Sequence, residues 1–379
     1  MAVFSWASSE SVHRQTIEIY EDEGAAYAIR RGVQRTDLAT DFSESLPDGR
    51  LRLDLGCGPG HHLPLLGDPA VALDGAHAMA AASRAAHPSV PAVQAELAHL
   101  PFDRATFVGV WASKVLQHLP AAELPAALAE VHHILALDGL LHLTAFGGPQ
   151  LGPHGHREEV SEPGSGDDLP GRLFTWWDPH RLSEVVEAAG FEVESLGAEV
   201  PTTEVPHPHI HLAARARRRL PDHVGTGMRL LCCGLNPSLH AADAGVGYVT
   251  ASNRFWPALA AAGLATRDRD PRHLLRQHRI GMTDLVKRAT PRAADLEVEE
   301  YREGLERLRR LCEWLRPAAL AVVGLAGWRA AVDRRAVVGW QPEDLGGAPV
   351  YLMPSTSGLN ARVSLDELSR HLRTATSGP

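Results

Sequence analysis

Hydrophobic positions along the chain follow two periods. Apolar runs of about four to eight residues, closed by Gly, Asp or Pro, predict buried strands; stretches with apolar residues at helical spacing predict amphipathic helices. Residues 10–47 predict helix. LRLDLGCGPG (51–60) predicts a buried strand running into a glycine turn, VALD (71–74) a second strand, and residues 76–86 a helix. FVGVWA (107–112) predicts a strand, AELPAALAEVHHILA a helix and GLLHLTAF (139–146) a strand. Residues 147–171 are rich in Gly, Pro and Asp and predict a long surface loop. WWDPHRLSEVVEAAGFEVESLGAEV adds a helix and a strand, HIHLAARA a last strand, and RRRLPDHVGTG (217–227) a linker.

The alternation then restarts. MRLLCCGLNP (228–237) predicts a strand ending in a polar turn, NRFWPALAAAGL (253–264) the start of a helix, and GMTDLVKR (281–288) a strand and loop. VEEYREGLERLRRLCEWL (298–315) is an amphipathic helix, AALAVVG (318–324) and VYLMP (350–354) are strands, and LDELSRHL (365–372) is a closing helix. Strand–helix alternation in both halves implies two parallel, doubly wound α/β sheets, with domains at 1–216 and 228–379. The halves show no internal repeat.

Composition changes this picture little. A chain of 379 residues exceeds one ordinary core, and 44% apolar with 22% charged residues suits globular domains. No apolar run approaches the roughly 18 residues of a membrane span, and MAVFSWASSESVHRQ carries no export signal, so no membrane partner is expected. Cys57, Cys232, Cys233 and Cys312 form no CxxC pair; reduced thiols, a cytoplasmic location and no metal site follow as expectations.

Charge adds more. Residues 1–216 hold 13 Lys and Arg against 29 Asp and Glu, a net of −16; residues 217–379 hold 24 against 17, a net of +7. The basic half suits a polyanion.

In the first half, Asp54, Gly56, Gly58 and Gly60 follow the first strand, where glycines let backbone approach a ligand, and Asp74 ends the second, where a carboxylate can hold a ribose diol. A glycine loop alone fits any dinucleotide enzyme. Together, LDLGCGPG, VALDGAHAM, QAELAHLPF and VWASKVLQHLP resemble the class I S-adenosylmethionine-dependent methyltransferases across 1–216. The resemblance implies a Rossmann-like sheet that binds S-adenosyl-L-methionine, with Asp54, Gly56 and Gly58 lining the cofactor's methionine end and Gly60 beside them, Asp74 on the ribose, and Glu96 and Leu97 flanking the adenine. Glu96 departs from the family's usual Asp. Neither a Pro-Cys nucleophile nor an Asn/Asp-Pro-Pro-aromatic motif is present, which argues against methylation of DNA bases and leaves the acceptor open. His118 reads either as a base near the methyl group or as an ordinary loop residue.

In the second half, GLNPS (234–238) puts Asn236 at a strand's carboxyl end, with Tyr248 farther along and SNRFW (252–256) opening a helix. MPSTSGLNAR (353–362) is a second loop leaving a strand end. GLNPS, SNRFW, GMTDLVKR, AVVG and MPSTSGLNAR, in this order, resemble the mismatch-specific uracil and thymine DNA glycosylases of the uracil-glycosylase superfamily, over nearly all of 228–373. The resemblance implies an α/β/α sandwich and a monofunctional base-excision repair enzyme on double-stranded DNA with mismatched uracil or thymine, needing no cofactor. It implies that Asn236 orients the attacking water and that Tyr248 stacks on a flipped base, with Ser238 and Phe255 beside it. Gly358, Leu359 and Asn360 would form the wedge that fills the vacated stack. Ser238 stands where glycine is common, and the wedge carries one extra residue.

Other readings stay open. Tyr248 could be a packing aromatic, Leu359 core, and Arg217, Arg218 and Arg219 a solvated linker. His207, His209 and His211 fit an edge strand better than a metal site. Lys287 is the one amine in this half able to form a Schiff base. The chain could also be a small-molecule methyltransferase whose C-terminal half only binds DNA.

Overall fold

The computed structural model describes residues 6–30, 32, 35–148, 150–199, 208–360 and 362–379. It divides into two compact units: residues up to 187 with 191–217, and 188–190 with 218–379. Among the described residues, no helix is long and apolar enough to cross a membrane.

The first unit is built on β1 (Arg52–Leu55), β2 (Ala70–Asp74), β3 (Ala92–Gln94), β4 (Phe107–Ser113), β5 (Leu135–Gly147), β6 (His156–Val160), β7 (Leu173–Trp177), β8 (Phe191–Ala198) and β9 (His209–Ala216). Strands β3, β2, β1, β4 and β5 are neighbours in that order and parallel. All four residues of β1 are buried, as a strand covered on both faces requires. Helix Thr36–Glu44 buries Ala39 and Phe42, and Phe42 lies 5.6 Å from the buried ring of Trp111. The order reverses between β1 and β4, so the carboxyl ends of these strands open a crevice.

Two expectations for this unit need correction. The long surface loop over 147–171 contains β6, which pairs antiparallel with β7; β7 in turn joins the carboxyl end of β5 at Phe146 and Gly147. HREEV carries no apolar alternation, so backbone pairing with a strand distant in sequence, not side-chain pattern, makes it a strand. β9 is not an edge: it pairs antiparallel with β5 on one side and β8 on the other. His209 and His211 therefore sit within a sheet, both bonded to Glu199, at 2.9 and 3.1 Å; His207 lies outside the described residues.

The second unit has β10 (Leu230–Gly234), β11 (Ile280–Asp284), β12 (Leu320–Val323), β13 (Gly339–Trp340) and β14 (Val350–Met353), in the order β11-β10-β12-β14-β13, with only the short β13 antiparallel. Leu230, Cys232, Ile280, Met282, Ala321, Val323, Tyr351 and Met353 share one core with helices Phe255–Ala261, Pro271–His278 and Leu365–Ser377. The alternate strand residues point the other way. Helix Val298–Leu315 buries Gly304, Leu308, Leu311, Cys312 and Leu315, the spacing of a single face, and burying each leucine contributes roughly 1.5–3 kcal/mol.

The expected linker 217–227 is a third correction. Leu220 to Gly225 are all buried, and Arg219 and His223 form β-bridges to Arg288 and Met282. Asp222, 1% exposed, accepts from Lys287 Nζ and an Arg307 guanidinium nitrogen, each at 2.7 Å, and from Thr283 Oγ1 at 2.6 Å. Polar linker-like composition hid a segment whose one acid answers two cations. Arg217 pairs with Asp138 and Glu192, and Arg218 with Asp243.

Burial by itself would raise the Asp222 pKa, but Arg307 and Lys287 outweigh it and hold the carboxyl below its ordinary range. Because the folded state binds this proton less readily than the unfolded chain, the stabilisation is present above the usual carboxylate value of about 3.9 and is lost as pH falls through the folded value. Asp222→Ala leaves two largely buried cations unanswered and is expected to cost about 3–5 kcal/mol in chemical denaturation of the second unit. A cost below about 1 kcal/mol would show that solvent already screens the cluster.

Candidate functional sites

In the first unit, the chain leaves β1 through Gly56, Gly58 and Gly60, all at positive φ (71°, 52° and 84°). A Cβ at Gly56 would overlap Val115, one at Gly60 would meet Ser83 and His87, and one at Gly58 would meet nothing within 4 Å. The first and third glycines are thus needed for packing, and the second leaves open space. Asp74 accepts from the backbone N–H of Gly58 and of Ala76, both at 2.9 Å, and so joins the glycine loop to the turn after β2. Burial pushes its carboxyl up to about 6. Asp54 is buried behind it, with Oδ2 lacking a partner among the described residues, and burial followed by the Asp74 charge raises it to about 8.

Part of this arrangement borders a cavity of about 970 Å³, large enough for more than one small molecule. Gly56, Gly58, Asp74, Glu96 and Leu97 line one part of it; Gly60 and Asp54 do not line it. Glu96 is exposed and Leu97 buried. Tyr20, Gln117, His118, Phe146, Phe174 and Trp176 also line it.

His118 is held at both ring nitrogens: Nδ1 lies 2.7 Å from Leu173 O, and Nε2 lies 3.2 Å from Tyr20 Oη, which accepts from Arg172 at 2.6 Å. These partners assign the tautomer, with Nδ1–H donating to Leu173 and Nε2 accepting from Tyr20. Burial, then Arg172, lowers its pKa to about 4, so the imidazole is neutral and fully engaged. It is a positioned wall residue, not a poised base. Tyr20, Gln117 and Arg172 were missed in the sequence; Gln117 sat in the quoted VLQHLP, but no spacing distinguishes it.

In the second unit, the loops at the carboxyl ends of β10, β11, β12 and β14 share one edge of the sheet. Asn236 follows β10 and is half-buried. Its Nδ2 donates to Arg288 O at 3.1 Å and Thr290 Oγ1 at 2.7 Å, while Thr290 Oγ1 donates onward to Arg292 O at 2.9 Å. This chain of donors fixes the amide: both Nδ2 hydrogens are spent, and Oδ1 is turned away as an acceptor. The two loops are zipped by Leu285 N to Gly234 O, Val286 N to Leu235 O and Thr290 N to Pro237 O.

Tyr248, at φ 57°, stacks on Phe255 with centroids 4.0 Å apart. Phe255 is wholly buried, so the structure corrects its expected contact with a base: it backs Tyr248 instead. The side chain of Ser238 caps helix Leu239–Ala244 by accepting from Ala241 N at 3.1 Å, and the residue is exposed. The hydroxyl of Tyr248 is buried without a partner among the described residues and approaches Gly234, as does the carboxylate of Asp284. Burial raises Asp284 to about 6 against the opposing Lys287 charge. Asp284 was quoted within GMTDLVKR but given no role.

Leu359 is 97% exposed, which excludes the core reading. Gly358 lies against Ser252, where a Cβ would come within 2.7 Å of the serine Cβ. Asn360 donates from Nδ2 to Ser355 O at 3.0 Å, folding its side chain back onto the loop. The loop is held from outside by Arg254, whose guanidinium donates to the carbonyls of Asn360 (2.6 Å), Ser357 (3.4 Å) and Val363. Arg254 belongs to SNRFW, and its role was not legible there because its targets are more than 100 positions away.

Comparison with known families agrees with this division. Residues 53–143 match the model of a methyltransferase domain, and residues 221–375 match that of the uracil DNA glycosylase superfamily. Both domains are present in this chain. Similar solved structures include 1,6-didemethyltoxoflavin-N1-methyltransferase of Burkholderia thailandensis with bound 1,6-didemethyltoxoflavin and S-adenosylhomocysteine (18% identity, 57% of this chain and 92% of that one, TM-score 0.46). They also include DhpI in complex with SAH (21%, 55% and 98%, 0.40) and the [4+2]-cyclase SpnF (18%, 50% and 84%, 0.38).

Removing the Arg254 clamp is expected to loosen the loop without unfolding the unit. In Arg254→Ala, amide exchange across 355–360 should quicken by about tenfold, roughly 1.4 kcal/mol of local stability, with exchange in β10 and β12 unchanged. Unaltered exchange in the loop would mean that its internal bonds suffice.

Proposed function

We propose that the second unit is a DNA glycosylase that hydrolyses the N-glycosidic bond of uracil or thymine in G:U and G:T mismatches, and that the first binds S-adenosyl-L-methionine and serves methyl transfer. The observation that carries the glycosylase reading is the fixed amide of Asn236. An acceptor oxygen at the end of β10 takes one hydrogen of a water and turns a lone pair of that water toward the sugar. A neutral amide is a weak base, so the step depends on a base that leaves readily as an anion and on an oxocarbenium-like sugar. The target nucleotide must leave the stack first. Leu359, exposed on a loop clamped by Arg254, suits the role of filler, and Gly358 and Asn360 shape that loop. Tyr248, backed by Phe255, offers a ring for the base.

Lys287 bears on whether the strand is also cut. Its amine is paired with Asp222 at 2.7 Å and its side chain is only 13% exposed, which leaves no free amine for a Schiff base and supports a monofunctional enzyme. Four buried free thiols suit a reducing cytoplasm.

The first unit fits the cofactor on its own geometry. Gly58 leaves open space beside the cavity, and Asp74 presents a carboxylate at the end of β2. Asp74 would hold the ribose, Gly56 and Gly58 the methionine end, and Glu96 and Leu97 the adenine; Asp54 and Gly60, expected beside them, do not line the cavity, and Gly60 packs tightly against Ser83 and His87. The bound cofactor supplies an electrophilic methyl group on a sulfonium. Because both ring nitrogens of His118 are already engaged, it orients and excludes water and does not act as the base.

Duplexes containing G:U, G:T and A:U pairs, treated with alkali after incubation, test the glycosylase. Asn236→Ala is expected to lower base release by about 10²–10⁴-fold while retaining DNA affinity. Equal rates in the two proteins would remove Asn236 from the chemistry; DNA binding without release in the native chain would favour a small-molecule methyltransferase with a non-catalytic DNA-binding half. Titration calorimetry with S-adenosylmethionine should give saturable heat of one-to-one stoichiometry, and its absence at every concentration would leave the first unit a scaffold.

A further inference from the structure

The cavity of the first unit extends well beyond the glycine loop. Its farther part is walled by rings that come from two strands. Phe146 on β5 stacks on Trp176 of β7 (centroids 5.0 Å apart, 20° between planes) and lies 5.6 Å from Phe174. Phe146 and Phe174 are half-buried and still present surface to the cavity; Trp176 is 6% exposed and forms the deeper wall. Guanidinium carbons of Arg157 and Arg172 lie over the Trp176 and Phe174 rings, 5.4 and 5.2 Å from their centroids, and hold those rings in place.

Most polar groups along this wall are spoken for. Tyr20 and His118 are bonded to each other, and Arg172 to Tyr20, Asp167 and Asp168. Gln117 differs. The residue is 2% exposed, it lines the cavity, and its Oε1 is buried with no hydrogen-bond partner among the described residues. A buried amide oxygen without a donor costs about 1–3 kcal/mol, a penalty that a ligand N–H or O–H would remove. An apolar pocket with one or two placed polar atoms is the ordinary design of a small-molecule site.

From this juxtaposition we infer that the acceptor end of the cavity binds a small, flat aromatic or heteroaromatic molecule that lies along the Phe146–Phe174–Trp176 wall and donates a hydrogen bond to Gln117 Oε1. A base within a nucleic acid is also flat, but a polyanion is disfavoured by a net charge of −16 over residues 1–216. The inference rests on reading the glycine end as the cofactor site, since only then is this end free for an acceptor.

The full chain, with and without saturating S-adenosylhomocysteine, is titrated calorimetrically with 4-hydroxyquinoline, which is flat with a donor. Quinoline, flat without one, and cyclohexylmethanol, a donor that is not flat, are the controls. The expected order of affinity is 4-hydroxyquinoline, then quinoline, with cyclohexylmethanol weakest. Gln117→Leu should weaken 4-hydroxyquinoline by about fivefold to tenfold and leave quinoline unchanged. Phe174→Leu should weaken both flat probes by about tenfold. S-adenosylhomocysteine affinity, unaltered in both variants, reports that they fold. Absence of saturable binding by either flat probe, or equal loss of both in Gln117→Leu, overturns the proposal, as does displacement of 4-hydroxyquinoline by a short single-stranded oligonucleotide. If S-adenosylhomocysteine fails to bind the native chain, the cofactor reading falls separately; the acceptor proposal then stands or falls on the probe order without it.

Discussion

A carboxylate taken out of water keeps its charge only where N–H donors or cations meet it, and in each unit one carboxylate so met gathers the segments around a candidate site. In the first, Asp74 at the end of β2 binds the backbone of Gly58 and Ala76, so the glycine loop and the turn after β2 keep a fixed spacing. In the second, Asp222 binds Lys287, Arg307 and Thr283, which pins the loop after β11 to helix Val298–Leu315. That loop supplies Arg288 O and Thr290 Oγ1, the two groups that set the amide of Asn236.

Close backbone approach is the second constraint, and it explains particular glycines. Gly304 lets helix Val298–Leu315 lie directly on the carbonyl of Leu285, which brings Arg307 within reach of Asp222. Gly234 leaves room beside β10 for the Asp284 carboxylate and the Tyr248 hydroxyl, and Gly358 lets the loop after β14 rest on Ser252. Each is a place where a methyl group would meet backbone or a fixed side chain, so the requirement is steric and not a matter of flexibility.

The two units solve the same design problem with different polar economies. Around His118 the hydrogen bonds are closed among Tyr20, Arg172 and Leu173, while Oε1 of Gln117, a residue that lines the cavity, is buried without a partner among the described residues. Around Asn236 the donors are spent and the acceptor is kept. Pre-set amides of this kind cost no reorganisation when a ligand arrives.

Period and punctuation in the sequence determined the fold class, the strands ending in LDLGCGPG, VALD, GLNPS and MPSTSG, and the loops at the carboxyl ends of both sheets, because burial on two faces and glycine turns are local properties of a chain. Asn236, Asp74 and the glycine loop were legible for the same reason. The tertiary structure decided what depends on partners far away in sequence: β6 is a strand because β7 pairs with it, β9 is interior because β5 and β8 flank it, and 218–227 packs because Asp222 finds Lys287 and Arg307. It also decided that Phe255 is buried behind Tyr248, that Ser238 caps a helix, that Arg254 holds the loop after β14, and that Gln117 Oε1 is buried without a partner among the described residues. Side-chain roles of this kind are set by which atoms a fold brings within about 3 Å, a distance that no linear pattern encodes.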